Sequence, residues 1–573
     1  MSTHGQSALI IGALGLLTLV TPMSAADRDY RLVDAVKSRD TATIGALLRA
    51  HADVKVARAD GTTPLHWTAQ WNDLDLAATL IKAGANVNAQ TDLGVAPLSL
   101  ACLNGSTPMV DALLNAGANA NIAKNTGETA LMTCARSGRV DAVKSLLAHG
   151  ADLSRAEYSQ GQNALMWASA RNNADVIRLL VEVGADVHGK TTINEFTPLL
   201  FAAREGAADA VRALLASGAD VNEASADNTT PLLATTYTGH WDLAKYLLDR
   251  GANPNKADGG YSPLHWAAGS WENDISGSLG PEGYEWIGGR GPGKLDLVKA
   301  LLAHGADPNA RLRRRPPRYG YGSGSRLNFS GATPFILAAL GGDAAIMRAL
   351  LEAGADPLLT TDDGSTALMA AAGYGRIHGE SRAKDNESLE AVKVAVAAGV
   401  DINAANKTGN MALHGAAYYQ LDLVAQFLIE KGAKVNARNR GGETPLVIAE
   451  GFSGSDTGGN TFYSDTMAVL LRKAAAVNIM EFDAVVKKLE TSCPATTFLV
   501  TDPAAAATDR GGDYGNSLRI KPTEGLRFKS AGCADLKVGS HVRITGTRLG
   551  HLLDKNGQPW DGSVDALEVE IRP

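Results

Sequence analysis

A short phrase, Gly-Ala followed by Asp or Asn, returns along this chain at near-constant spacing, and that regularity limits the fold more than any other feature. Its glycines are Gly84, Gly117, Gly150, Gly184, Gly218, Gly251, Gly305 and Gly354, with altered copies at Gly399 and Gly432. The first six stand 33 or 34 residues apart, and the last step is again 33. A fixed period of this length means one supersecondary unit copied many times. Each copy is too small to bury its own apolar face, so the copies must stack. A length of 573 residues also excludes one compact core.

A second phrase precedes the first in most units: Thr63-Pro64-Leu65-His66, Thr129-Ala130-Leu131-Met132, Thr197-Pro198-Leu199-Leu200, Ser262-Pro263-Leu264-His265 and Thr444-Pro445-Leu446 are examples. Thr63 is placed to cap a helix, and Pro64 sits at the first helical position, where its missing N–H costs nothing. Leu65 and Ala69 then face a core, and a polar turn follows at Asn72-Asp73. A second helix carries Leu76, Leu80 and Ile81 at helical spacing and stops at Gly84, which enters the left-handed region cheaply. These phrases and this period resemble the ankyrin-repeat family over residues 29–476. The resemblance implies a mainly α fold, an ankyrin-repeat α-solenoid of about ten full repeats with degenerate ends. His51 stands where the first unit should carry its glycine.

The period breaks in the second half. Extra residues are expected between the two helices of a repeat near 269–294, 373–388 and 451–465, and between repeats near 311–331. The inserted stretches carry Trp271, Tyr284, Trp286, Tyr374, Phe452, Phe462 and Tyr463 in a chain with only 5% aromatic residues. Loop aromatics that the stack does not need for its core are candidate partner-binding anchors. The basic run around Arg313, Arg314 and Arg315 is a further candidate, suited to carboxylate or phosphate, although a solvated basic loop is the commoner outcome for such a run.

Other motifs point away from chemistry. Gly288 to Lys294 matches the glycine and lysine spacing of a phosphate-binding loop, but Leu295 stands where Ser or Thr must reach magnesium. The histidines lack metal-ligand spacing, and no nucleophile elbow or paired-carboxylate set is present. No catalytic residue, cofactor or metal site is therefore expected. Trp67, Trp167 and Trp266 share one repeat position, which points to packing between repeats. A net charge of -7 gives no reason to expect nucleic acid as partner.

Both ends differ from the array. Ala8 to Val20 is an apolar run too short to span a bilayer, and Ser24-Ala25-Ala26 supplies small residues before Asp27. Residues 1–26 thus read as a signal peptide, which places the chain in the periplasm or outside the cell, with no membrane span in the mature protein. After Ala476 the helical period gives way to alternation. About six short strands are expected, among them Leu518-Arg519-Ile520 and Leu526-Arg527-Phe528, forming a small β domain over 480–573. Leu536 to Gly546 and Asp561-Gly562-Ser563-Val564 resemble the small all-β OB-like barrels of exported bacterial proteins. Cys493 and Cys533 both fall here and are a candidate disulfide in an oxidising compartment. Cys102 and Cys134 sit at non-equivalent helix positions in neighbouring repeats and are expected as buried thiols.

The expected function is a non-enzymatic protein–protein interaction scaffold or adaptor, acting as a monomer on a protein partner. The alternatives are glycan binding by the C-terminal domain with the repeats as spacer, and a secreted host-directed effector.

Overall fold

A computed structural model describes residues 29–269, 293–314, 329–375, 384–450 and 464–474, Leu536, and five C-terminal strands. Its helices alternate as first and second members of repeats. In chain order they are α1 (Arg31–Ser38), α2 (Thr41–Arg49), α3 (Pro64–Trp71), α4 (Leu74–Lys82), α5 (Pro97–Leu103), α6 (Thr107–Asn115), α7 (Ala130–Ser137) and α8 (Val140–Ala148). There follow α9 (Ala164–Ala170), α10 (Ala174–Glu182), α11 (Pro198–Arg204), α12 (Ala208–Ala216), α13 (Pro231–Tyr237), α14 (Trp241–Asp249), α15 (Pro263–Ala268) and α16 (Lys294–Ala303). The last eight are α17 (Pro334–Leu340), α18 (Ala344–Glu352), α19 (Ala367–Ala371), α20 (Asp385–Ala397), α21 (Ala412–Tyr418), α22 (Asp422–Glu430), α23 (Pro445–Ala449) and α24 (Asp465–Lys473). The chain divides into two compact units, residues 1–193 with 209–218 and residues 194–208 with 219–573.

The same local chemistry recurs in many of the pairs. Thr129 and Thr230 accept from the backbone N–H groups of Met132 and Leu233, at 3.3 and 3.1 Å, which satisfies one of the donors a helix start leaves open. Some second helices start on acidic or hydroxyl caps, as where Asp73 accepts from Leu76 at 3.0 Å, while α8, α10, α14 and α22 start with no side-chain cap bond. Gly84 ends its helix at φ 90°, and His51 takes the equivalent position at φ 55°. The first repeat is thus complete in shape although its glycine is missing.

In the N-terminal unit the core is a ladder of equivalent side chains. Leu65, Leu98, Leu131 and Leu165 are all buried, with Leu80, Leu113, Leu146 and Leu180 beneath them from the second helices. Asparagine ties one connector to the next: Asn88 donates to the Gly117 carbonyl at 3.1 Å and accepts from Asn119 N–H at 2.7 Å. Asn121 does the same with Gly150 and Asp152.

The C-terminal unit repeats that rung with Asn222 to Gly251, Asn255 to Gly305, Asn309 to Gly354 and Asn403 to Gly432. Asn255 and Gly305 are bonded at 2.7 Å although 50 residues part them. The connector is therefore continuous where the sequence period is broken. Helix α15 stops at Ala268 and α16 starts at Lys294, α23 stops at Ala449 and α24 starts at Asp465, and residues 270–292 and 451–463 between them lie outside the described residues.

Beyond residue 479 the strands are β1 (Met480–Leu489), β2 (Phe498–Thr501), β3 (Ser517–Phe528), β4 (His541–Arg548) and β5 (Ser563–Arg572). They pair in the order β1-β2-β3-β5-β4 and back to β1, with β3 and β5 parallel and the other pairs antiparallel. The expected fold class is corrected here. Leu518–Ile520 and Leu526–Phe528 belong to one strand, so among the described residues five strands replace six. Among the described side chains of this region only Leu536, Val542 and Ile544 are buried, so no filled barrel interior is described. The fold class rests on the helical-repeat solenoid alone, and the OB-like barrel is not retained.

Candidate interaction surface

Each first helix has one side committed to packing and one side without that duty. In the N-terminal unit the second residue of the helix is invariably a buried leucine: Leu65, Leu98, Leu131, Leu165. The seventh residue varies through Gln70, Leu103, Arg136 and Ala170. The fourth varies through Trp67, Leu100, Thr133 and Trp167. These two positions vary while their neighbours repeat.

The seventh residue of one first helix reaches the fourth residue of the next. Lys37 of α1 lies 5.2 Å from the Trp67 ring centre, and Arg136 of α7 lies 4.7 Å from that of Trp167. Trp67 also stacks on Trp71 at 5.9 Å, and Arg39 covers Trp71 at 4.3 Å. Such cation–ring contacts stabilise by roughly 0.5–1 kcal/mol each at partly exposed sites. Within the C-terminal unit Tyr237 and Trp266 use the same two positions, 5.9 Å apart, with Tyr261 edge-on to Trp266. The expected packing between repeats is thus present at all three tryptophans. The register that supplies its partners, seventh residue onto fourth, was readable in the sequence as the spacing from Lys37 to Trp67 and from Arg136 to Trp167.

The histidines of the repeat phrase are fully engaged. His66 Nδ1 accepts from Thr63 N–H at 3.2 Å, and Nε2 donates to the Val95 carbonyl at 2.9 Å. In the other unit His265 Nδ1 accepts from Ser262 and Nε2 donates to Ala310. His414 Nδ1 accepts from Met411, and Nε2 faces the carbonyls of Ala437 and Glu443. These partners require the neutral ring with its proton on Nε2. Burial pushes His265 and His414 down to about 4 and lowers His66.

Two expectations are corrected at the residue level. Cys102 and Cys134 are buried as expected but are not thiols: they form a disulfide between α5 and α7, with Cα atoms 4.6 Å apart. Their unequal helix positions, sixth and fifth, face each other because the side of α5 turned toward α7 and the side of α7 turned toward α5 carry different positions of the repeat. Tyr374, expected as a loop anchor, is only 7% exposed and turns its hydroxyl toward Thr408. It packs inward.

The remaining candidates are placed as follows. Arg313 and Arg314 are exposed, and their backbone N–H groups donate to the Gly260 carbonyl at 2.9 and 3.2 Å. Lys294, the lysine of the phosphate-loop lookalike, is buried and donates to the Gly269 carbonyl at 2.9 Å. Trp271, Tyr284, Trp286, Arg315, Phe452, Phe462, Tyr463, Cys493, Cys533 and the signal segment lie outside the described residues. Among the described residues no three His, Cys, Asp or Glu side chains group as a metal site, and no helix is long and apolar enough to cross a membrane.

Comparison with known proteins bears on the helical part. A family model described as "Ankyrin repeats (3 copies)" matches in overlapping windows over residues 32–277 and again over 290–379 and 381–480, and one for a single "Ankyrin repeat" matches 259–312. The crystal structure of the human ASB11 ankyrin repeat domain is 24% identical, covers 39% of this chain and 98% of that chain, and has a TM-score of 0.35. The family matches stop at residue 480 and do not extend the OB-like likeness read from the C-terminal sequence.

Proposed function

Because the chain belongs to the ankyrin-repeat family, we propose that it is a non-enzymatic protein–protein interaction scaffold acting in the periplasm or outside the cell. One observation carries the reading. In the N-terminal unit the second residue of each first helix is a buried leucine, while the seventh changes from copy to copy through Gln70, Leu103, Arg136 and Ala170, none of them buried, which leaves that position available for contact rather than stacking. The exported setting is supported by the N-terminal sequence and by the Cys102–Cys134 disulfide, since stable disulfides belong to oxidising compartments. The inserted segments, with Trp271, Tyr284, Trp286, Phe452, Phe462 and Tyr463, and the exposed Arg313 and Arg314 are proposed as secondary contacts.

The test is crosslinking in the exported fraction, comparing the intact chain with one lacking residues 270–292 and 451–463. A discrete protein partner is expected from the intact chain, captured more weakly after the deletions. An intact chain that remains intracellular, or that captures nothing, contradicts the reading.

A further inference from the structure

Resting on that reading, we propose that the exposed face of the first helices α1 to α9 is a docking surface for an acidic, extended protein segment, recognised by tryptophans with cations on their rings.

Charge distribution is the first argument. The chain is acidic overall, with 61 Asp and Glu against 54 Lys and Arg. Yet α3, α5, α7 and α9 contain no carboxylate. The one acid of α1, Asp34, is bound by Arg58. On the second helices of the same unit the charges cancel locally, through Lys144 with Asp141, Arg178 with Asp175 and Arg212 with Asp209. On the first-helix side Lys37, Arg39 and Arg136 rest on indole rings, and among the described residues no carboxylate pairs with any of them. Three second-helix cations are thereby paired with carboxylates, whereas the three on the first-helix side are not.

Apolar surface is the second. Leu103 is 52% exposed, and Trp71 keeps 40% exposure with Arg39 over its ring. A ligand that suits both must offer carboxylate oxygens and some apolar surface. An acidic peptide with spaced carboxylates does so.

Spacing separates this from a nucleic acid. Packed helices lie about 10 Å apart, so α1 and α7, three repeats apart, are about 30 Å apart along the stack. An extended peptide crosses that distance in about nine residues. Its acidic residues then need to meet cations only at the ends, with apolar side chains over Leu100 and Leu103 between. A single-stranded polyphosphate would bring one charge roughly every 6 Å across a middle stretch where α3 and α5 supply no cation.

The test uses the full-length protein and a labelled 12-residue peptide carrying Asp and Glu at both ends and Leu and Phe in the middle. Fluorescence anisotropy is compared with a peptide in which Lys replaces every acid, and with single-stranded DNA of equal charge. The acidic peptide is expected to bind, more weakly as salt rises, and the lysine peptide is not. Lys37→Glu with Arg136→Glu should weaken binding at least tenfold, Lys37→Arg with Arg136→Lys should restore it, and Arg313→Glu with Arg314→Glu should leave it unchanged. Equal binding of both peptides, no effect of charge reversal, or DNA bound as tightly and lost in the same variants overturns the proposal. If the charge-reversed chain still captures its partner in the exported fraction, this face is excluded and the scaffold reading stands. If the intact chain captures no partner, that reading fails, and the peptide titration still decides this one.

Discussion

His66, His265 and His414 each close two gaps at once, holding the start of their own helix and a carbonyl of the following connector. Protonating Nδ1 would turn a backbone N–H toward another N–H. The folded state therefore holds these rings neutral, with His265 and His414 near 4, whereas an unfolded histidine titrates near 6.5. Stability from this source is complete above about pH 6.5 and is lost as pH falls through the folded values. Thermal unfolding between pH 7 and 5, where most carboxylates stay ionised, should show a loss of about 2 kcal/mol for each of His265 and His414. His265→Gln should flatten part of that slope, and a melting temperature that does not move over this range contradicts the assignment. The cysteines show the limit of residue-level reading. Positions counted along single helices could not place Cys102 opposite Cys134, because which sides of two helices meet belongs to packing rather than to either sequence segment.

At the scale of elements, Thr or Ser caps, first-turn prolines and terminal glycines were legible because each acts within a few residues of itself. The Asn rungs from Asn88 to Asn403 were not, since their partners lie 29 to 50 residues away, in another repeat. The disulfide joins elements in the same way. By loop entropy it stabilises by about 3–4 kcal/mol. Alkylation after denaturation without reductant should leave Cys102 and Cys134 unmodified, and Cys102→Ala with Cys134→Ala should lower the unfolding free energy by about that amount. Free thiols at both sites contradict it. Core and outer positions of one repeat should differ sharply as well. Leu131→Ala should cost about 2–5 kcal/mol in denaturant unfolding, and Lys144→Ala, with its exposed ion pair, under about 0.5.

For the whole molecule, the period alone carried the fold over residues 32–480, because ten-fold recurrence averages out irregular copies. Alternation over the last hundred residues carried less. It marked strands but split β3 in two, since Pro522 to Gly525 reads as a break while the strand continues through it. The interaction face was half legible: its tryptophans stood out, but the cations that cover them did not. The central claim is that the first-helix face meets a protein partner. A photo-crosslinking residue placed at Leu103 on that face, and separately at Lys144 on a second helix, tests it in the native compartment. A discrete crosslinked partner is expected from position 103 and none from position 144. Equal crosslinking from both positions, or none from 103 while 144 yields a partner, would contradict it.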